Sequence, residues 1–231
     1  MLHLIRLELK KGRFINHIWG SLLAYGIILG FFLLIFLVDG NNQIDPAFLN
    51  HSEMLHVIDL IVRATFIIYA SALISKLIIT EFKDKTMAQL FTYPVSRKKL
   101  IFAKLTMVFV WTFVNVIIAN LLIAAVLVAI NSQLGYLTDP LTLEMKLQHG
   151  SFVLMQAFGA AGMSLLPLAV GIRKKSITAT IISSIFIVML VCSNNMGFTL
   201  SNIVAVPVSL AVLGIVITYL SFRKIDQVDI V

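Results

Sequence analysis

Six apolar runs constrain what this chain can become: residues 18–38, 57–79, 105–130, 151–170, 177–192 and 203–221. A helix crosses a bilayer with roughly 20 mostly apolar residues; five runs satisfy this, and 177–192 is short. Inside hydrocarbon every backbone N–H and C=O needs an internal partner, which a helix provides. The predicted fold class is therefore all-α, a polytopic membrane protein with six transmembrane helices. Only 13% of the residues are charged, against roughly 25% in soluble domains.

Charge placement orients these spans. With the amino terminus in the cytoplasm, only Arg63 and Lys146 of the 18 lysines and arginines fall outward. The positive-inside rule then predicts both termini in the cytoplasm. A net charge of +7 thus marks sidedness, and no nucleic-acid partner is expected. The single cysteine, Cys192, has no intramolecular disulfide partner and reads as a packing residue. The first apolar run follows basic residues, as in a secretory signal, but exceeds a signal's apolar region. It is read as a retained span.

Residues 1–17 place His3, Arg6, Lys10, Arg13 and His17 on one helical face, with Leu2, Ile5, Leu9 and Ile15 supplying apolar surface. This is an amino-terminal interfacial amphipathic helix, held by membrane lipid. It serves as a topology anchor or also as a docking element. The six-span domain is expected over 18–231.

Between spans one and two lies an outer loop with Asp39, Asp45, Glu53 and Asp59. His51, Glu53, His56 and Asp59 match no standard metal spacing, so a solvated loop accounts for them. Asp59 and Arg63 stand four apart, in the order that favours a helical ion pair. Intramembrane charge is a functional-site hypothesis by default, so the pair belongs to an outer pathway or is structural. Arg63 is placed about one and a half turns into the span, within reach of the surface by snorkelling.

Residues 80–104 (TEFKDKTMAQLFTYPVSRKKLIFAK) form the longest interval between spans two and three. Thr80 can cap a helix, Glu81 and Lys85 form an i,i+4 pair, and Phe82, Met87, Leu90 and Phe91 give partial apolar spacing. Pro94 disfavours helix at Tyr93, so this helix should end near Thr92. Ser96 can cap span three. Arg97, Lys98 and Lys99 oppose the dipole at that start, which makes them inside anchors or partner contacts.

Asn115 and Asn120 in span three are amides that find partners across helices. Gly159 and Gly162, with Ala160 and Ala161 between them, permit close helix approach. Both sets serve packing or the transport pathway. Pro167 is expected to bend span four, and residues 171–176 to form a tight inside turn. The short fifth span, followed by 193–202, suggests either a re-entrant element or a plain outer loop.

No phosphate-binding G-x-x-x-x-G-K-[ST], H-E-x-x-H or G-x-S-x-G occurs in the sequence. Paired intramembrane carboxylates are also missing from it. The chain is not expected to be an enzyme, and it binds no cofactor of its own. Energy for uphill movement must come from another subunit.

Glu81, Lys85, Thr86 and Leu90, then Tyr93-Pro94-Val95-Ser96-Arg97 and Lys104, resemble the E–kT–L–P-x-S-R–K run of ATP-binding-cassette type-2 exporter permeases. The six-span topology resembles theirs too. The resemblance implies a transmembrane permease subunit in the bacterial cytoplasmic membrane, paired as a homo- or heterodimer with a second permease chain. It implies two copies of a cytoplasmic ATPase subunit that hold ATP and Mg. It also implies a coupling helix at about 81–92 that docks on this ATPase through Glu81, Lys83, Asp84, Lys85, Thr86, Met87, Leu90 and Phe91, flanked by Arg97 and Lys98. The small size resembles permeases for antimicrobial or cytolytic peptides, implying an amphipathic or hydrophobic cargo.

Two rival classes share the topology. One is a membrane protein that senses or sequesters a peptide for immunity without pumping it. The other is an intramembrane enzyme, which the absence of a nucleophile, base or metal set disfavours.

Overall fold

The computed structural model of the chain describes residues 15–39, 48, 50–80, 97–137, 139–140, 142–192, 194–195, 198–199 and 205–223. The described residues form seven α-helices: α1 (Ile15–Asp39), α2 (His51–Ile74), α3 (Arg97–Leu134), α4 (Leu143–Met163), α5 (Leu166–Lys174), α6 (Ile177–Cys192) and α7 (Ala205–Arg223). A π-helical turn, Ser75–Ile79, continues α2. Two-residue strands β1 (Asn194–Asn195) and β2 (Phe198–Thr199) pair antiparallel, Asn194 opposite Thr199 and Asn195 opposite Phe198.

Four stretches are long and apolar enough to cross a membrane: His17–Val38, His51–Ile79, Leu100–Leu134 and Leu143–Lys174. Ile177–Cys192 and Pro207–Leu220 are shorter apolar helices. The helices outrun the apolar runs. The second begins at His51, after Asn50 in extended geometry. The fourth begins after Thr142, whose hydroxyl accepts from the Met145 N–H, a side-chain N-cap. With 38 residues, α3 extends about 57 Å, well beyond a hydrocarbon core of roughly 30 Å.

Apolar character all around α1 lets it present two faces. Ala24, Ile28, Phe32 and Phe36, spaced by four, are buried in the bundle, while Leu23, Leu34 and Leu37 face outward. Outward apolar side chains are what a hydrocarbon solvent accepts. The central core joins Phe32, Ile58, Val62, Phe66, Val116, Ile123 and Ala157 across α1 to α4. A second core gathers around the π-turn, with Leu73, Ile74, Ile78, Ile79, Ile101, Leu105 and Leu168.

The fourth stretch breaks at Ser164 and Leu165, where Leu165 N–H turns to the Gly162 carbonyl. Pro167 then sits in the first turn of α5, where its missing N–H costs nothing. The break separates α4 from α5 without leaving the core. Helix α5 ends at Lys175 in left-handed geometry, φ 46°, and α6 follows.

Candidate functional site

The expected docking residues Glu81, Lys83, Asp84, Lys85, Thr86, Met87, Leu90 and Phe91 lie outside the described residues. Arg97 and Lys98 open α3, and their side chains lie outside the description as well. What is described is the pair of stems on which that segment stands: the π-turn before it and the start of α3 after it.

At the first stem, Thr80 turns back toward the π-turn that precedes it. Its hydroxyl donates back to the Ser75 carbonyl at 3.0 Å, and its backbone N–H does the same. At the second stem, Lys104 of α3 reaches back and donates from Nζ to the Leu77 carbonyl at 2.9 Å. The two stems are thereby bonded to each other across the intervening segment.

A buried polar cluster ties α2, α3 and α4 together. Arg63 Nε lies 2.9 Å from Asp59 Oδ2, while its N–H also approaches the Asp59 carbonyl at 3.4 Å. Arg63 Nη1 donates to Gln156 Oε1 at 2.6 Å. Asn120 Nδ2 donates to its own helix at Val116 O, 3.0 Å, and more distantly to Asp59 Oδ1, 3.5 Å. Asp59, Gln156 and Asn120 are sealed from the surface, and Arg63 is only 2% exposed.

Arg63 therefore does not snorkel. Because α2 starts at His51, Arg63 is about three turns inside the helix, and its charge is answered by Asp59 and Gln156. Gln156 carried no signal in the sequence. It sits in an apolar run, and its partner is 93 residues away.

A second polar junction lies at the α2 start. Asp139, in the turn between α3 and α4, accepts from the His51 backbone N–H at 3.0 Å and lies 2.6 Å from His51 Nδ1. Asn131 is oriented by Leu137, whose N–H donates to Oδ1 at 2.9 Å and whose carbonyl accepts from Nδ2 at 3.1 Å. The same Nδ2 faces His51 Nε2 at 3.2 Å, so that nitrogen accepts and the ring proton lies on Nδ1, toward Asp139. Partial burial pushes the Asp139 carboxyl up, but hydrogen bonds from the His51 backbone and ring hold it below the ordinary carboxylate range. His51 and Asp59 are thus engaged in separate networks, and the His56 ring packs edge-on against Phe152 at 5.1 Å.

Asn115 joins α1 to α3: Tyr25 Oη donates to its Oδ1 at 2.6 Å, and its Nδ2 donates to Trp111 O at 2.8 Å. Gly159 and Gly162 lie against α7. A Cβ on Gly159 would stand 2.7 Å from Pro207 Cβ, and one on Gly162 would stand 2.5 Å from Ala211 Cα. Gly214 completes the contact, since its Cβ would run into the Gly162 carbonyl.

An apolar helical bundle that turns its polar side chains inward, with apolar faces left outward, is a polytopic membrane protein. Its kind follows from the sequence as a whole. The chain belongs to the family described as ABC-2 family transporter protein, which it matches over residues 4–193. Members of this family are membrane transporter components rather than enzymes. The chain is also similar to the uncharacterized protein YcbO of Bacillus subtilis (strain 168), with 41% identity over 230 residues, covering 99% of this chain and 100% of that protein. No solved structure matches it.

Proposed function

We propose that the chain is the permease subunit of an ABC exporter in the bacterial cytoplasmic membrane, driven by ATP hydrolysis in a separate subunit. Membership of the ABC-2 family over most of the chain is the observation that carries this reading. In it, α6 and α7 complete six crossings, and both termini are cytoplasmic. The charge asymmetry of the sequence supports that orientation.

Residues 81–92 act as the coupling helix on the ATPase, docking through Glu81, Lys83, Asp84, Lys85, Thr86, Met87, Leu90 and Phe91, with Arg97 and Lys98 beside it. Two ATPase copies holding ATP and Mg serve two permease chains. Closure of the ATPases rocks the two bundles about their interface and shifts access from one side to the other. The cargo is an amphipathic or hydrophobic molecule of the antimicrobial or cytolytic peptide class, in keeping with the apolar bundle and small size.

The test is co-purification with a candidate ABC ATPase subunit from the same organism, using Glu81→Lys and Leu90→Asp. Both changes should reduce the complex and its transport. Undiminished complex and export in both variants would remove the docking assignment. A stable complex whose ATP turnover ignores peptide would favour sensing over pumping.

A further inference from the structure

The second span ends in a feature that ordinary helix geometry does not produce. From Ser75 to Ile79 the backbone is π-helical, a wider turn that appears mostly as single turns and frequently at functional sites. Three elements brace it. Thr80 closes it from within, sending both N–H and hydroxyl to the Ser75 carbonyl. Helix α5 comes close because Gly171 has no side chain: a Cβ there would lie 2.8 Å from Ile79 Cδ1 and would run into Thr180 Oγ1 of α6. The third brace is Lys104 on the Leu77 carbonyl.

Lys104 stands apart from the usual behaviour of lysine near a membrane-helix end, which is to carry its ammonium outward to water. It is 2% exposed, and its neighbours along α3 include Ile101, Leu105 and Val108 of the second core. An ammonium in such surroundings is costly unless it is hydrogen-bonded. A methionine would fill similar volume without that cost. What lysine adds is a directional, charge-assisted bond to one carbonyl of the π-turn. The bond spans 27 residues of sequence and closes the base of the segment between the two spans.

We propose that Lys104 is a positioning residue, binding the π-helical end of the second span to the start of the third so that both respond together to a pull on the intervening residues. The inference rests on the coupling role proposed above and gives it a mechanical connection within the bundle. Relaxation of the turn to α geometry changes the register by one residue and rotates the following backbone by roughly 100°. The Leu77 tether opposes that rotation.

The test is pulsed EPR on the full chain in liposomes, in a Cys192→Ser background, with spin labels at Lys76→Cys and Lys174→Cys, both exposed positions. With Lys104 present, and labelled chains diluted in an excess of unlabelled ones, one narrow distance is expected. K104M should broaden the distribution or shift its maximum, because the turn that carries residue 76 is no longer held to α3. K104R, which keeps a charged donor, should restore the narrow distance. If K104M does not purify as a monodisperse protein, K104Q carries the same comparison. A second arm adds the ATPase subunit found by co-purification, with ATP and vanadate: trapping should shift the Lys104 distance, while K104M keeps the complex and loses the shift. A native distance in K104M, or a native response to trapping, overturns the proposal. The first arm needs no ATPase, so failure to form the complex counts against the coupling reading and leaves the tether to be judged by the distances alone.

Discussion

Asp139 holds His51 twice, accepting from its backbone N–H at 3.0 Å and lying 2.6 Å from its ring Nδ1. A single turn residue between α3 and α4 thereby fixes both the first amide of α2 and the orientation of its ring. The amide is one that helix geometry leaves without an intrahelical partner.

This link has a defined pH dependence. The folded Asp139 carboxyl titrates below its ordinary value, which is near 3.9. Its stabilisation is complete above that value and disappears as pH falls through the lower folded one. At pH 7, Asp139→Ala should cost about 1–2 kcal/mol. Thermal unfolding in detergent from pH 7 to 3 should show the gap between native protein and variant closing in acid. A gap that is constant over that range would contradict the assignment.

Asp59 and Arg63 should behave as a unit. Breaking a buried pair from one side costs about 3–5 kcal/mol, because the remaining charge stays buried. Asp59→Leu and Arg63→Met should each show this loss. The double variant should lose far less than the sum, with a residue of about 1–3 kcal/mol from the Gln156 and Asn120 amides it deprives of partners. A double-mutant cycle by thermal unfolding decides, and additive losses would refute the coupling.

Tyr25→Phe removes the hydroxyl that Asn115 Oδ1 accepts. Hydrogen bonds between membrane helices average about 0.6 kcal/mol and reach about 1.7, so a loss in that range is expected. Asn115→Ala made on top of Tyr25→Phe should add little from this bond. A larger second loss would point to Trp111 O as the partner that matters.

Glycines in the bundle should divide by what faces them. Gly162→Leu drives a side chain into the Ala211 backbone and should destabilise by about 1–3 kcal/mol or more. Gly26 has nothing within 4 Å, so Gly26→Ala should be neutral or gain up to about 1 kcal/mol from helix propensity. Melting curves of the two variants in one detergent provide the comparison.

Features with a local cause were readable from the sequence. The Asp59–Arg63 spacing followed from the helical period, and Gly159 and Gly162 announced a close approach without naming Pro207 or Ala211 as the neighbours. Gln156, Asp139 and Asn131 were not readable as partners, because each acquires its role through contacts made only after distant segments pack. The π-turn was also hidden: Ser75–Ile79 reads as ordinary apolar helix, and the contacts it receives from Lys104 and Gly171 form only once distant segments pack. Arg63 looked able to reach water because the apolar run began at residue 57, whereas the helix itself begins at His51.

The contact of Gly159 and Gly162 with Pro207 and Ala211 leaves no layer of side chains between α4 and α7 at that point. Two helices touching backbone to backbone have little room to roll past one another, because there are no flexible groups to repack. In mechanical terms α4 and α7 form a single strut. A twist applied to either helix is therefore delivered to the other, and the chain has one fewer independent moving part than its number of helices suggests.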